Sequence, residues 1–156
     1  SVPDNVKRVA VMLHPSNSEW QQVLADFDPD VLQTDAGDFD ALDVPDSIER
    51  WPVYRETNKV ADPFLPGLKG SATFLYEGAK SGQGETVDWS RAAKIAEQGN
   101  MILAGGLGPA NIADAIRAVC PWGVDVSSGV ESAPGQKDPR LIQAFITAAR
   151  AAEKEL

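Results

Sequence analysis

Short runs of apolar, β-branched residues alternate with longer amphipathic stretches along this chain, and that alternation limits the fold more than any other feature. Strand and helix in repeated succession are the pattern of a parallel sheet covered by helices, because two parallel neighbours need a crossover that a helix supplies. Six strands are expected: Val6 to Leu13, Val31 to Thr34, Trp51 to Arg55, Ser71 to Glu77, Met101 to Ala104 and Val124 to Val126. A helix is expected from Glu19 to Phe27, behind the caps offered by Ser16, Asn17 and Ser18, and another from Asp88 to Gln98, closed by Gly99 and Asn100. A third should follow Gly105 and Gly106, with Pro109 near its first turn. The last runs from Pro139 to Ala152, with Leu141, Ile142, Phe145, Ile146 and Ala149 on one apolar face. Between the third and fourth strands, Asp62-Pro63 and Leu65-Pro66-Gly67 break up any long helix.

No charge-rich linker or change of composition divides the 156 residues, so residues 1–156 read as one α/β domain. The 14 Lys and Arg against 23 Asp and Glu give a net charge of -9, which opposes attraction to nucleic acid and to anionic lipid. No apolar run is long enough to suggest a membrane span, and Ser1-Val2-Pro3-Asp4 shows no secretion signal, so a cytoplasmic setting is expected. Cys120 is the only cysteine and His14 the only histidine, which excludes an internal disulfide and any site built on paired cysteines or histidines. Cys120 reads as a structural thiol, His14 as a loop residue, and the four tryptophans as packing residues.

Three consecutive strand ends carry small residues: Ser81-Gly82-Gln83-Gly84, Gly105-Gly106 and Ser127-Ser128-Gly129. In parallel α/β folds the C-terminal ends of the strands form the ligand face, and in eight-stranded barrels the last loops often hold a phosphate. Glycine lets backbone N–H groups approach an anion, and serine adds a hydroxyl donor. A tight turn explains any one of these loops as well, whereas three in succession point to a phosphate site.

The run Leu103-Ala104-Gly105-Gly106-Leu107-Gly108-Pro109-Ala110-Asn111, then Gly123-Val124-Asp125-Val126-Ser127-Ser128-Gly129-Val130-Glu131-Ser132 and Pro134-Gly135-Gln136-Lys137-Asp138, resembles phosphoribosylanthranilate isomerase. Gly84-Glu85-Thr86-Val87-Asp88-Trp89 is similar to that family's sixth-strand loop. The specific likeness runs from about Ser71 to the C-terminus. It implies a TIM (β/α)8 barrel with about six βα units in this chain, beginning at the family's third strand. It also implies an Amadori rearrangement of N-(5-phosphoribosyl)anthranilate in tryptophan biosynthesis, with no metal and no cofactor. Such a reaction needs an acid for the furanose ring oxygen and a base for the proton at C2 of the sugar. By the same resemblance Glu77 stands where the family has its aspartate acid, one methylene longer, and Gly82, Gly84, Gly105, Gly106, Ser127, Ser128 and Gly129 contact the substrate or its phosphate.

The family's base, a cysteine in a Lys-Ile-Cys-Gly type motif, and its arginine after the second strand have no counterpart here. If the 156 residues were the whole molecule, little isomerase activity would be expected. Arg55 could meet the anthranilate carboxylate or pair with Glu56 or another nearby acid. Asp125, on a strand, is expected to face a buried hydrogen-bond partner. Two other readings are a related sugar-phosphate isomerase of histidine biosynthesis and a non-catalytic phosphate-binding fragment.

Overall fold

A computed structural model describes residues 2–3, 5–56, 65, 72–78 and 86–156. The chain packs as two compact units, 1–54 and 55–156. The expected glycines Gly82 and Gly84, together with Ser71, Ser81 and the Asp62-Pro63 turn, lie outside the described residues.

In the first unit, β1 (Val9–Val11) leads to α1 (Asn17–Phe27) and β2 (Val31–Asp35), and a 3-10 turn at Ala36–Ala41 precedes β3 (Glu49–Arg55). The strands are parallel, with Val9 opposite Val31 and Val31 opposite Glu49. β1 is shorter than its apolar run, since the ladder with β2 spans only Val9 to Val11. Ser16 caps α1 in a reciprocal box with Glu19, a contact that stabilises a helix start by about 1 kcal/mol. Ala10, Trp20, Leu32, Leu42 and Val44 form the core here, and the Trp20 indole N–H donates to the Asp43 carbonyl at 3.0 Å. His14 sits just after β1 with φ 48°, its Nδ1 3.1 Å from Asp38 Oδ1 and its Nε2 3.7 Å from Asp35 Oδ2. It is thus the loop residue the sequence suggested, held by carboxylates.

The second unit holds β4 (Thr73–Glu77), α2 (Trp89–Ala96), β5 (Asn100–Leu103), α3 (Ile112–Val119), β6 (Gly123–Val124), a hairpin of β7 (Glu131–Ala133) with β8 (Gln136–Lys137), and α4 (Pro139–Glu153). β4, β5 and β6 are parallel and in register, Tyr76 facing Leu103 and Leu103 facing Val124. Their apolar residues Phe74, Leu75, Tyr76, Met101 and Leu103 are buried, as are Ile95 of α2 and Ile112, Ala115 and Val119 of α3. Asp88 and Asp138 cap α2 and α4 through side-chain bonds to the first-turn N–H groups.

Several sequence expectations shift. β6 begins one residue earlier and stops at Val124, because its partner β5 ends at Leu103. Pro109 lies in the turn before α3 rather than in its first turn, and Asn111 is the N-cap. The apolar face of α4 is only partly covered: Phe145 is buried, whereas Ile142 and Ile146 are exposed. Trp122 is 61% exposed, so packing explains the other tryptophans better than this one. Cys120 ends α3 in a left-handed conformation, exposed, with its thiol 3.8 Å from the Arg117 carbonyl.

Candidate active site

Strand register places the acidic candidates. Glu77, Ala104 and Asp125 stand one step beyond the paired residues Tyr76, Leu103 and Val124, and the backbone bonds Ala104 N–H to Tyr76 O and Asp125 N–H to Leu103 O continue that register. Residues level with each other in a parallel sheet point to the same face, so both carboxyl groups project from one face at the C-terminal strand ends. Two strand spacings separate their backbones by about 10 Å. This edge of the strands is where parallel α/β folds do chemistry.

Glu77 is largely covered and forms an ion pair with the Arg55 guanidinium, itself largely covered. Arg55 thus pairs with a nearby acid, and that acid is Glu77, the catalytic candidate. Glu56 is engaged elsewhere, accepting from the Tyr76 hydroxyl and from the Asp88 N–H, both at 3.2 Å. The neighbouring carboxylate and burial together push the Tyr76 hydroxyl far above its ordinary range, burial contributing most.

Asp125 departs from its expectation. Solvent reaches the residue, and among the described residues its side chain makes no hydrogen bond, although surrounding atoms desolvate the carboxyl enough to raise its pKa above 3.8 against the opposing charge of Lys137. A carboxyl shifted by desolvation and left without a hydrogen bond at a strand end is a candidate functional group. The raised pKa means that the ionised form is disfavoured in the folded protein, so the penalty is present at neutral pH and absent below 3.8. Asp125→Asn is therefore expected to raise the urea midpoint at pH 8, with the gain shrinking as the pH is lowered. A midpoint at or below wild type at pH 8 would contradict this.

The glycine and serine loops meet beside these acids. Gly106, Leu107, Gly108, Pro109, Ala110, Asn111, Ser128 and Gly129 line a cavity of about 380 Å³. Gly105 and Gly106 have φ of 88° and 61°, a left-handed backbone that favours glycine. The Asn111 side chain clamps the loop from inside: its Oδ1 accepts from Gly108 N–H at 2.8 Å and its Nδ2 donates to Gly106 O at 2.9 Å. This explains why Asn111 does not cap α3 with its side chain. A Cβ on Gly129 would stand 1.8 Å from the Leu107 carbonyl oxygen and 2.9 Å from its carbon. The expected ligand contact at Gly129 is thus first a steric requirement, for the two loops touch backbone to backbone there.

Of the sequence candidates, Glu77, Gly105, Gly106, Ser127, Ser128 and Gly129 fall at the strand ends of the second unit, and Arg55, the last residue of β3, is the first residue of that unit. Asn111 and Lys137 were carried in the resemblance without a role. Lys137 emerges as a contact of Ser127, and only the Pro134-Gly135 turn signal hinted at the hairpin that delivers it. Among the described residues no cluster of three His, Cys, Asp or Glu side chains could hold a metal ion, and no helix is long and apolar enough to cross a membrane.

Residues 5–148 match the family model described as N-(5'phosphoribosyl)anthranilate (PRA) isomerase. The N-(5'-phosphoribosyl)anthranilate isomerase of Roseiflexus sp. (strain RS-1) is 60% identical over 75 residues, 48% of this chain and 35% of that protein. The chain thus spans little more than a third of that relative in the matched stretch. The enzyme of the same name from Granulibacter bethesdensis (strain ATCC BAA-1260 / CGDNIH1) is 36% identical over 154 residues, 93% of this chain and 73% of that one. A crystal structure of phosphoribosyl anthranilate isomerase in complex with reduced 1-(o-carboxyphenylamino)-1-deoxyribulose 5-phosphate superposes with a TM-score of 0.70 at 25% identity, over 96% of this chain and 74% of that one. The expected α/β barrel-type fold is therefore the fold of this chain, and the chain belongs to the N-(5'-phosphoribosyl)anthranilate isomerase family.

Proposed function

We propose that the protein isomerises N-(5'-phosphoribosyl)anthranilate to 1-(2-carboxyphenylamino)-1-deoxyribulose 5-phosphate, a step of tryptophan biosynthesis. One observation carries the reading: two carboxyl groups and a glycine- and serine-lined cavity lie together at the C-terminal strand ends of the second unit. The related structure that holds the reduced product analogue supports the choice of ligand.

In this reading the cavity formed by Gly106, Gly108, Ser128 and Gly129 receives the phosphate, and Gly82 and Gly84, which lie outside the described residues, also contact the substrate. Backbone N–H groups and a serine hydroxyl suit a dianion even in a protein of net charge -9, because local donors outweigh a distant field. Glu77 acts as the acid that protonates the ring oxygen, so that the C1–O bond opens to an iminium. A base then takes the C2 proton to give the enolamine, which takes up a proton at C1 and settles to the aminoketose; the family's cysteine base has no counterpart in this sequence. Arg55 holds Glu77 as a carboxylate before substrate arrives. The anthranilate carboxylate competes for that guanidinium, which frees Glu77 to take up the proton it must deliver. Asp125, on the same face, hydrogen-bonds the sugar hydroxyls.

The test is direct. The purified protein is incubated with N-(5'-phosphoribosyl)anthranilate, and formation of the aminoketose phosphate is followed together with binding of the reduced analogue. Analogue binding is the expected result, and turnover is expected where the protein assayed also carries a base for the C2 proton. Binding without turnover would favour the non-catalytic phosphate-binding reading, and absence of both would overturn the assignment.

A further inference from the structure

The β7–β8 hairpin lies beyond the last sheet strand and outside the residues assigned a role so far, yet it delivers a charged side chain to the phosphate loop. Lys137 Nζ donates to Ser127 O at 2.9 Å, to Ser127 Oγ at 3.2 Å and to Glu131 Oε1 at 2.7 Å. These three bonds use all three ammonium protons. Glu131 is itself fixed from the hairpin turn, where Gly135 N–H donates to its Oε2 at 3.0 Å and Gly135 takes φ 76° after Pro134. The chain of contacts therefore runs from the turn through Glu131 and Lys137 to Ser127.

We propose that Lys137 is a positioning residue for phosphate recognition: it turns the Ser127 hydroxyl and the 127–128 peptide into donors aimed at the anion. This rests on the phosphate-binding reading above. An ammonium cannot accept a hydrogen bond, so Ser127 Oγ must be the acceptor in its contact with Lys137, which leaves the single hydroxyl proton for another acceptor. The same ammonium holds Ser127 O. In a trans peptide the following N–H points the opposite way, so the Ser128 N–H is directed away from Lys137, and Ser128 lines the cavity. Hydrogen bonds from Lys137 and then from Gly135 keep the Glu131 carboxyl below its ordinary pKa, so Glu131 stays charged across the neutral range.

The full chain is titrated with inorganic phosphate and with the reduced 1-(o-carboxyphenylamino)-1-deoxyribulose 5-phosphate, as wild type, Lys137→Met and Lys137→Arg. Lys137→Met is expected to weaken both ligands about tenfold, the scale of one lost charge-assisted bond. Lys137→Arg, which keeps charge and donors, should remain within about threefold of wild type. The loss in Lys137→Met for the reduced analogue should persist at 1 M sodium chloride, where the screening length is about 3 Å, because orientation is not screened as a distant charge is. Unchanged affinity in Lys137→Met, or a loss that vanishes in high salt, overturns the proposal while leaving the phosphate site standing. Wild-type protein that binds neither ligand overturns the phosphate reading and this proposal with it. Should Lys137→Met fail to fold, Ser127→Ala carries the test, and an unchanged dissociation constant there overturns the proposal.

Discussion

Gly129→Ala is expected to lower the unfolding free energy at the upper end of the usual overpacking range of about 1–3 kcal/mol and to abolish tight binding of the reduced analogue. The added methyl would stand 1.8 Å from the Leu107 carbonyl oxygen and 3.1 Å from Gly108 Cα, all of it backbone, so no flexible side chain can step aside. The loops must part by more than an ångström, and the cavity they share loses its shape. Gly37→Ala serves as the control, since its Cβ would meet nothing within 4 Å. Urea unfolding of both variants decides the matter: a Gly129→Ala midpoint equal to that of Gly37→Ala would show that the two loops are not held in contact in solution.

Glu77→Gln should leave affinity for the reduced analogue within a few-fold of wild type and lower kcat by roughly 10²–10⁴, the usual contribution of a positioned acid. The amide keeps shape and still accepts from Arg55, but it removes both the proton and the charge that pairs with the guanidinium. Glu77→Asp, which brings the side chain to the length of the family's aspartate, should retain substantial turnover. Unchanged kcat in Glu77→Gln would remove this residue from the mechanism. Equal losses in kcat and in analogue affinity would instead mark it as a binding group.

The architecture was legible wherever local pattern and tertiary pairing agree. The β4 strand ends at Glu77 as its apolar run does, and the Asp88 and Asp138 caps stand where their helices start. β1 and β6 were misjudged because a strand ends where its neighbour stops pairing, and one sequence does not reveal the neighbour's register. The hairpin was hidden by its size: strands of three and two residues carry too few positions for alternation to register, although Pro134-Gly135 fits a type II turn. At the site, glycines and serines announced themselves by type and spacing. The pairing of Arg55 with Glu77, 22 residues apart, and the reach of Lys137 to Ser127 depend on folding, and no local rule contains them. Asp125 failed for a different reason: it stands one residue beyond the end of β6 and is exposed, so the rule that a buried carboxylate is hydrogen-bonded does not bind it.

The Asn111 clamp has a thermodynamic consequence. By tying Gly108 N–H and Gly106 O to one side chain, it freezes the loop while the protein folds, so the ordering entropy of those residues belongs to folding and not to association. On the phosphate reading proposed above, an anion arriving there would find donors at fixed spacing, and an oxyanion of another size or shape would gain nothing from a loop that will not bend to meet it. Recognition at this end of the substrate is then by rigidity.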